Sequence, residues 1–147
     1  MSTVSKLLAS RMGNAKLIKA DIYLNATDAS GMDWGMRLEE MWSNTIKEAK
    51  AALSNYKDVI IDAVIEDELP LLKKTFKGLD IYYCILIASE EELYSRILLR
   101  GDPNLVSRSL VLLKQFNTDP KKKPYLLDTT GLSIAKVVNK VIDLEKL

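Results

Sequence analysis

Histidine is absent from all 147 residues. That absence excludes Ser-His-Asp and Cys-His catalysis, histidine metal sites and a histidine pH switch. Cysteine occurs once, as Cys84, so neither an intramolecular disulfide nor a cysteine zinc cluster can form. Its place in the apolar run 81–88 points to a buried, inert thiol. No apolar run approaches the roughly 20 residues that a membrane helix needs, and the opening residues lack the charged-then-apolar pattern of a signal peptide. The expectation is a cytoplasmic protein with no membrane partner. An excess of charge is also missing, because 21 Lys and Arg oppose 20 Asp and Glu for a net +1. General binding to a nucleic-acid polymer is therefore not expected, and charge-based function must come from local clusters.

The 48% of hydrophobic residues is enough for a sizeable core, and 147 residues is an ordinary length for one domain, here 1–147. Val4, Leu7, Leu8 and Met12 recur at helical spacing and Gly13-Asn14 ends the pattern, so the sequence opens in a helix. KLIKA at 16–20 reads as a short strand followed by a polar loop. Trp34, Leu38, Met41, Trp42, Ile46, Ala49 and Leu53 then mark a long helix over 34–54, with Asp33 as its N-cap. DVIID at 58–62 has the unalternated apolar character of a parallel strand covered on both faces. A short helix is predicted over 66–77 before Gly78, and DIYYCILIA at 80–88 reads as a central buried strand.

Ser89 and Glu92 form a capping-box pattern that starts the next helix. Gly101-Asp102-Pro103 interrupts it, and 105–116 resumes as helix, so 94–116 is a candidate lid. A last strand is predicted at 125–127 and an amphipathic helix around Ile134, Val137, Val138, Val141 and Ile142. This alternation predicts an α/β fold in three layers, with parallel strands at 16–20, 58–62, 80–88 and 125–127 between helices.

Open parallel sheets bind ligands beyond the carboxyl ends of their strands. Asp21, Asp62, Ser89 and the run Asp128-Thr129-Thr130-Gly131 stand there, and Arg96, Arg100 and Arg108 lie between the third and fourth strands. Carboxylates opposed to arginines suit phosphoryl transfer, in which a carboxylate orients the acceptor or holds Mg²⁺ and arginines neutralise phosphate charge.

In these residues the chain resembles the P-loop small-molecule and nucleotide kinases, a group that includes shikimate kinase, chloramphenicol phosphotransferase and the nucleoside monophosphate kinases. MSTVSKLLASRM resembles the end of their phosphate loop and first helix, the strand ending at Asp21 their acceptor-side strand, and DVIIDAV their third strand. The spacing of Arg96 and Arg100 resembles the lid, and DTTGLS the adenine-side loop. The resemblance implies an ATP- and Mg²⁺-dependent phosphotransferase acting on a small-molecule or nucleotide acceptor, with room for a homodimer. Asp21, Asp62 and Arg100 would be catalytic, Ser2 and Thr3 would ligate Mg²⁺, and Arg96, Arg108 and Thr129 would join Ser2 and Thr3 in binding the nucleotide.

The first strand and the G-x-x-x-x-G-K turn of that family, which closes backbone N–H groups around a phosphate, are not present. Three readings stay open: a start assigned late or a shortened chain, a natural chain that has lost ATP chemistry, and coincidence in an unrelated α/β domain. The last two make a noncatalytic binding or assembly module the alternative function. The candidate residues also have plainer uses: Ser2 and Thr3 as helix caps, Asp21 and Asp62 as turn residues, Arg96 and Arg100 as partners of surface acids such as Glu92.

Overall fold

The opening apolar periodicity folds as helix α1 (Ser2–Met12) in the computed structural model, which describes residues 2–147. Gly13 ends it at φ +82°, a left-handed conformation that glycine adopts without a Cβ penalty. The chain divides into two units after Gly78.

In the first unit, β1 (Ala15–Lys19) pairs in parallel with β2 (Asp58–Asp62), from Ala15 opposite Asp58 to Lys19 opposite Asp62. The segment after β1 is not the expected polar loop. It forms a short helix, α2 (Asp21–Asn25), because Tyr23 and Leu24 pack on the cluster around Ala20 and Trp42. Helix α3 (Trp34–Ala52) starts where Asp33 accepts a hydrogen bond from the Met36 amide at 2.8 Å. Helix α4 (Leu69–Thr75) is shorter than 66–77, since the Glu68 carboxylate ties the amides of Glu66 and Asp67 into a turn before it.

Met41 and Trp42 of α3 and Leu72 of α4 form a core with Ala20, against which Ile61 and Ala63 pack. Each large side chain buried this way contributes about 1.5–3 kcal/mol. Side chains alternate along a strand, so Ile60 and Asp62 face the opposite side of the pair, where α1 lies and Ser5 meets Asp62. The β1–β2 pair thus has helices on both faces.

In the second unit, β3 (Ile85–Ile87) pairs in parallel with β4 (Leu126–Asp128). The strand expected over 80–88 is cut to three residues because β4 offers only three partners. Upstream of β3, Leu147 donates its amide to the Ile81 carbonyl at 2.8 Å and Lys146 pairs with Asp80 at 2.7 Å. Helix α5 (Glu90–Leu99) is capped by Ser89, a 3₁₀ turn (Pro103–Leu105) leads into α6 (Val106–Thr118), and α7 (Ile134–Ile142) is capped by Ser133. Val137 and Val138 on the apolar stripe of α7 are buried. No described helix is long and apolar enough to cross a membrane.

The protein is therefore α/β with parallel strand pairing, but the described strands form two two-stranded sheets rather than one four-stranded sheet. Among the described residues, the strand at 85–87, expected to be central, pairs with β4 alone. Parallel pairing points both backbone groups of alternate residues at the same neighbour. The Asp58 amide donates to Asn14 at 3.2 Å, and the Asp62 carbonyl accepts from Ala20 at 3.0 Å. Asp58, Ile60 and Asp62 consequently face β1, while Val59 and Ile61 turn their N–H and C=O groups to an edge with no partner among the described residues. In β3 the Ile87 carbonyl accepts from the Thr129 amide at 2.8 Å, which leaves Leu86 turned to the free edge.

Candidate functional site

At the carboxyl end of β2, Asp62 is half-buried and accepts a hydrogen bond from the Ser5 hydroxyl at 2.8 Å. Ser5 was not among the residues expected there. Its signal is its spacing: it lies one helical turn after Ser2, on the face of α1 that also buries Val4. Thr3 is exposed, and the side chain of Ser2 lies outside the described residues. Asp21 stands exposed at the first position of α2, just beyond the end of β1.

The loop between α2 and α3 is held by Arg37. Its guanidinium donates to the Thr27 hydroxyl at 2.9 Å and the Leu24 carbonyl at 3.2 Å, pairs with Asp28, and lies 5.4 Å from the centre of the Trp34 ring. An arginine so engaged acts first as a clip on the loop; binding an acceptor anion would require it to exchange partners. Beside the outer edge of β1, an open groove of about 430 Å³ is lined by residues 16–19, Ile22, Tyr23 and Glu48. Within it the Tyr23 hydroxyl donates to Glu48, and this bond, followed by burial, raises the tyrosine above its ordinary pKa. Glu48 is also 3.9 Å from Lys16. This groove runs along the strand, and Asp62 is not part of its lining.

In the second unit, the loop after β4 closes into a network. Arg96 donates to the Thr129 hydroxyl at 2.9 Å, the Thr129 carbonyl at 3.1 Å and Glu92 at 2.6 Å. The other oxygen of Glu92 accepts from the Gly131 amide at 2.9 Å. The Thr129 hydroxyl donates to the Ile87 carbonyl at 2.8 Å, and that side chain is fully buried. Asp128 accepts from both the hydroxyl and the amide of Thr130, whose hydroxyl in turn accepts from the Ser89 amide at 2.8 Å.

The Gly131 amide, with help from Arg96, holds Glu92 below the ordinary carboxylate range, and the Thr130 hydroxyl and amide do the same for Asp128. The capping box is only half made: Ser89 accepts from the Glu92 amide at 3.2 Å, but Glu92 reaches forward to Gly131 instead of back to Ser89.

The arginines expected as one set thus have different settings. Arg96 is committed to Glu92 and Thr129, whereas Arg100 is exposed at the end of α5 and Arg108 is exposed on the first turn of α6. Burial pushes the Cys84 thiol up to about 11, consistent with an unreactive side chain. The chain matches no protein-family model and no curated protein.

Proposed function

We propose that the protein is an α/β phosphotransferase of P-loop kinase type, built on a three-layer parallel sheet whose central strand is not among the described elements. It would transfer phosphate from ATP to a hydroxyl or phosphate acceptor. The observation that carries this reading is the hydrogen bond from Ser5 in the first helix to Asp62 at the end of a parallel strand. P-loop enzymes use a first-helix hydroxyl and a strand-end carboxylate to hold Mg²⁺. The oxygen donors here suit that hard cation. Asp62, Ser2 and Thr3 would hold it, and Mg²⁺ would supply neutralisation of phosphate charge. Asp21 would orient the acceptor hydroxyl, and Arg100, which has no ion-pair partner among the described residues, would meet the transferred phosphate. Arg96 and Thr129 would shape the nucleotide-side loop, with Arg108 as a further contact.

ATP itself lacks a cradle in this sequence, because five of the six glycines occupy separate left-handed positions and no G-x-x-x-x-G-K occurs. The second reading is a noncatalytic binding or assembly module derived from such a kinase. One experiment decides between them. The chain extended at its amino end by a strand and a G-x-x-x-x-G-K turn is titrated with Mg-ATP beside the 147-residue chain. Micromolar binding, about 8 kcal/mol, is expected only in the extended protein, and Asp21→Asn there should abolish turnover while sparing ATP affinity. Equal absence of binding in both proteins favours the module.

A further inference from the structure

We infer that the outer edge of β1 is a docking site for an extended acidic segment of another protein, one in which glutamate or aspartate alternates with β-branched residues. The inference uses the first unit alone and stands apart from the phosphotransferase reading. Because Ala20 donates its amide to Asp62 and the Asn14 carbonyl accepts from Asp58, the even-numbered residues of β1 are the ones that bond to β2. Leu17 and Lys19 therefore turn their N–H and C=O groups outward, where these have no partner among the described residues. This edge borders the open groove that residues 16–19 share with Ile22, Tyr23 and Glu48. A strand laid along it would satisfy the backbone groups and cover Ile22, which is 63% exposed.

Charge selects the occupant. β1 carries Lys16 and Lys19 and no acid. Glu48, the acid in the groove lining, already accepts from Tyr23 and stands 3.9 Å from Lys16, whereas Lys19 has no ion-pair partner among the described residues. An acid on the incoming strand therefore gains a partner there, and a lysine does not. The face is fixed as well. Ile18 is opposite Ile61, which packs on the α3 core, so Leu17 and Lys19 share the other face, and the acids of the occupant belong at alternate positions on that side. A second copy supplies no such acid in any register or direction, because its β1 carries the same two lysines, and lysines on an edge guard against that pairing.

The test uses the intact 147-residue chain and the synthetic peptide acetyl-Thr-Glu-Val-Glu-Val-Glu-Thr-amide, with amide hydrogen exchange followed by NMR. Exchange at Leu17 and Lys19 should slow at least about tenfold at saturating peptide, while Lys16 and Ile18, already bonded to β2, change little. A twin with lysine in place of every glutamate should bind more weakly. Lys19→Glu should weaken the acidic peptide and strengthen its lysine twin, each by about two- to fivefold in Kd, as for a partly exposed ion pair. N-methylation of the valines alone, or of the glutamates alone, blocks one edge of the peptide, so one of these variants should lose the protection and the other should keep it.

Unchanged exchange at Leu17 and Lys19 up to millimolar peptide overturns the inference. So does equal affinity for the acidic peptide and its lysine twin. Protection that grows with protein concentration in the absence of peptide assigns the edge to a second copy and overturns it too. Equal slowing at Lys16, Leu17, Ile18 and Lys19 also overturns it, since that pattern reports stabilisation of the whole unit by binding elsewhere rather than an added strand.

Discussion

Replacing Thr129 with valine isolates one hydroxyl in the loop after β4. The two side chains have nearly the same shape and the site is fully buried, so no cavity opens and the loss is polar. The substitution removes the bond donated to the Ile87 carbonyl and the bond accepted from Arg96. The first is a neutral bond of about 1 kcal/mol, and the second belongs to a charged donor, a class worth about 1.5–3 kcal/mol.

Two features reduce the total. The Ile87 carbonyl keeps the Thr129 amide, and Arg96 keeps Glu92 and the Thr129 carbonyl in a side chain that is 28% exposed. A net destabilisation of about 1.5–2.5 kcal/mol is expected. Urea unfolding followed by far-UV circular dichroism measures it. Tryptophan fluorescence does not serve, because Trp34 and Trp42 both lie in the first unit. Combining Thr129→Val with Arg96→Met completes a double-mutant cycle, in which a coupling of at least about 0.5 kcal/mol is expected for residues in contact. A loss below about 0.5 kcal/mol for Thr129→Val, or strict additivity in the cycle, refutes the clamp.

Thr45 gives the opposite sign. It is fully buried and its hydroxyl has no partner among the described residues, so Thr45→Val should stabilise the first unit by about 1 kcal/mol, read by tryptophan fluorescence in urea; a destabilised variant would show that the hydroxyl has a partner. The pH dependence of the second unit follows from Glu92 and Asp128, both held below their ordinary values of 4.5 and 3.8. Depressed carboxylates stabilise the fold above those values, and that contribution is lost as pH falls through and below them. Glu92→Gln with Asp128→Asn should flatten this acid-side loss in urea melts across the pH series, and parallel curves for the two proteins would refute it.

Helices were the most legible part of the sequence. The α3 stripe and Asp33 located one helix nearly residue by residue, because helical periodicity and capping are local properties. The strands at 58–62 and, within one residue, at 15–19 and 126–128 were legible for the same reason. The segment 80–88 has strand character over more residues than the three that form β3. Its β-branched and aromatic residues suit a strand, but a ladder needs a partner of matching length, and β4 supplies three residues. The division into two sheets depends on such pairing and has no local signature. At the site, the strand-end aspartates were visible because topology places strand ends. The Ser5 bond and the locking of Arg96 by Thr129 required knowing which surfaces meet across 57 and 33 positions of sequence.

Both sheets are parallel, and this governs how the chain folds. Each ladder joins segments roughly 40 residues apart, for which closing a flexible loop costs about 3 kcal/mol before any ladder bond forms. Helices with local contacts, such as α5 with α6, can therefore assemble first, and the two strand pairings become the late, rate-limiting steps. Until they form, short apolar strands wait with both edges open. Lengthening the loop at 119–122 should cost little stability, because doubling a loop adds only about 0.6 kcal/mol to its closure, and it should slow folding by no more than a few-fold.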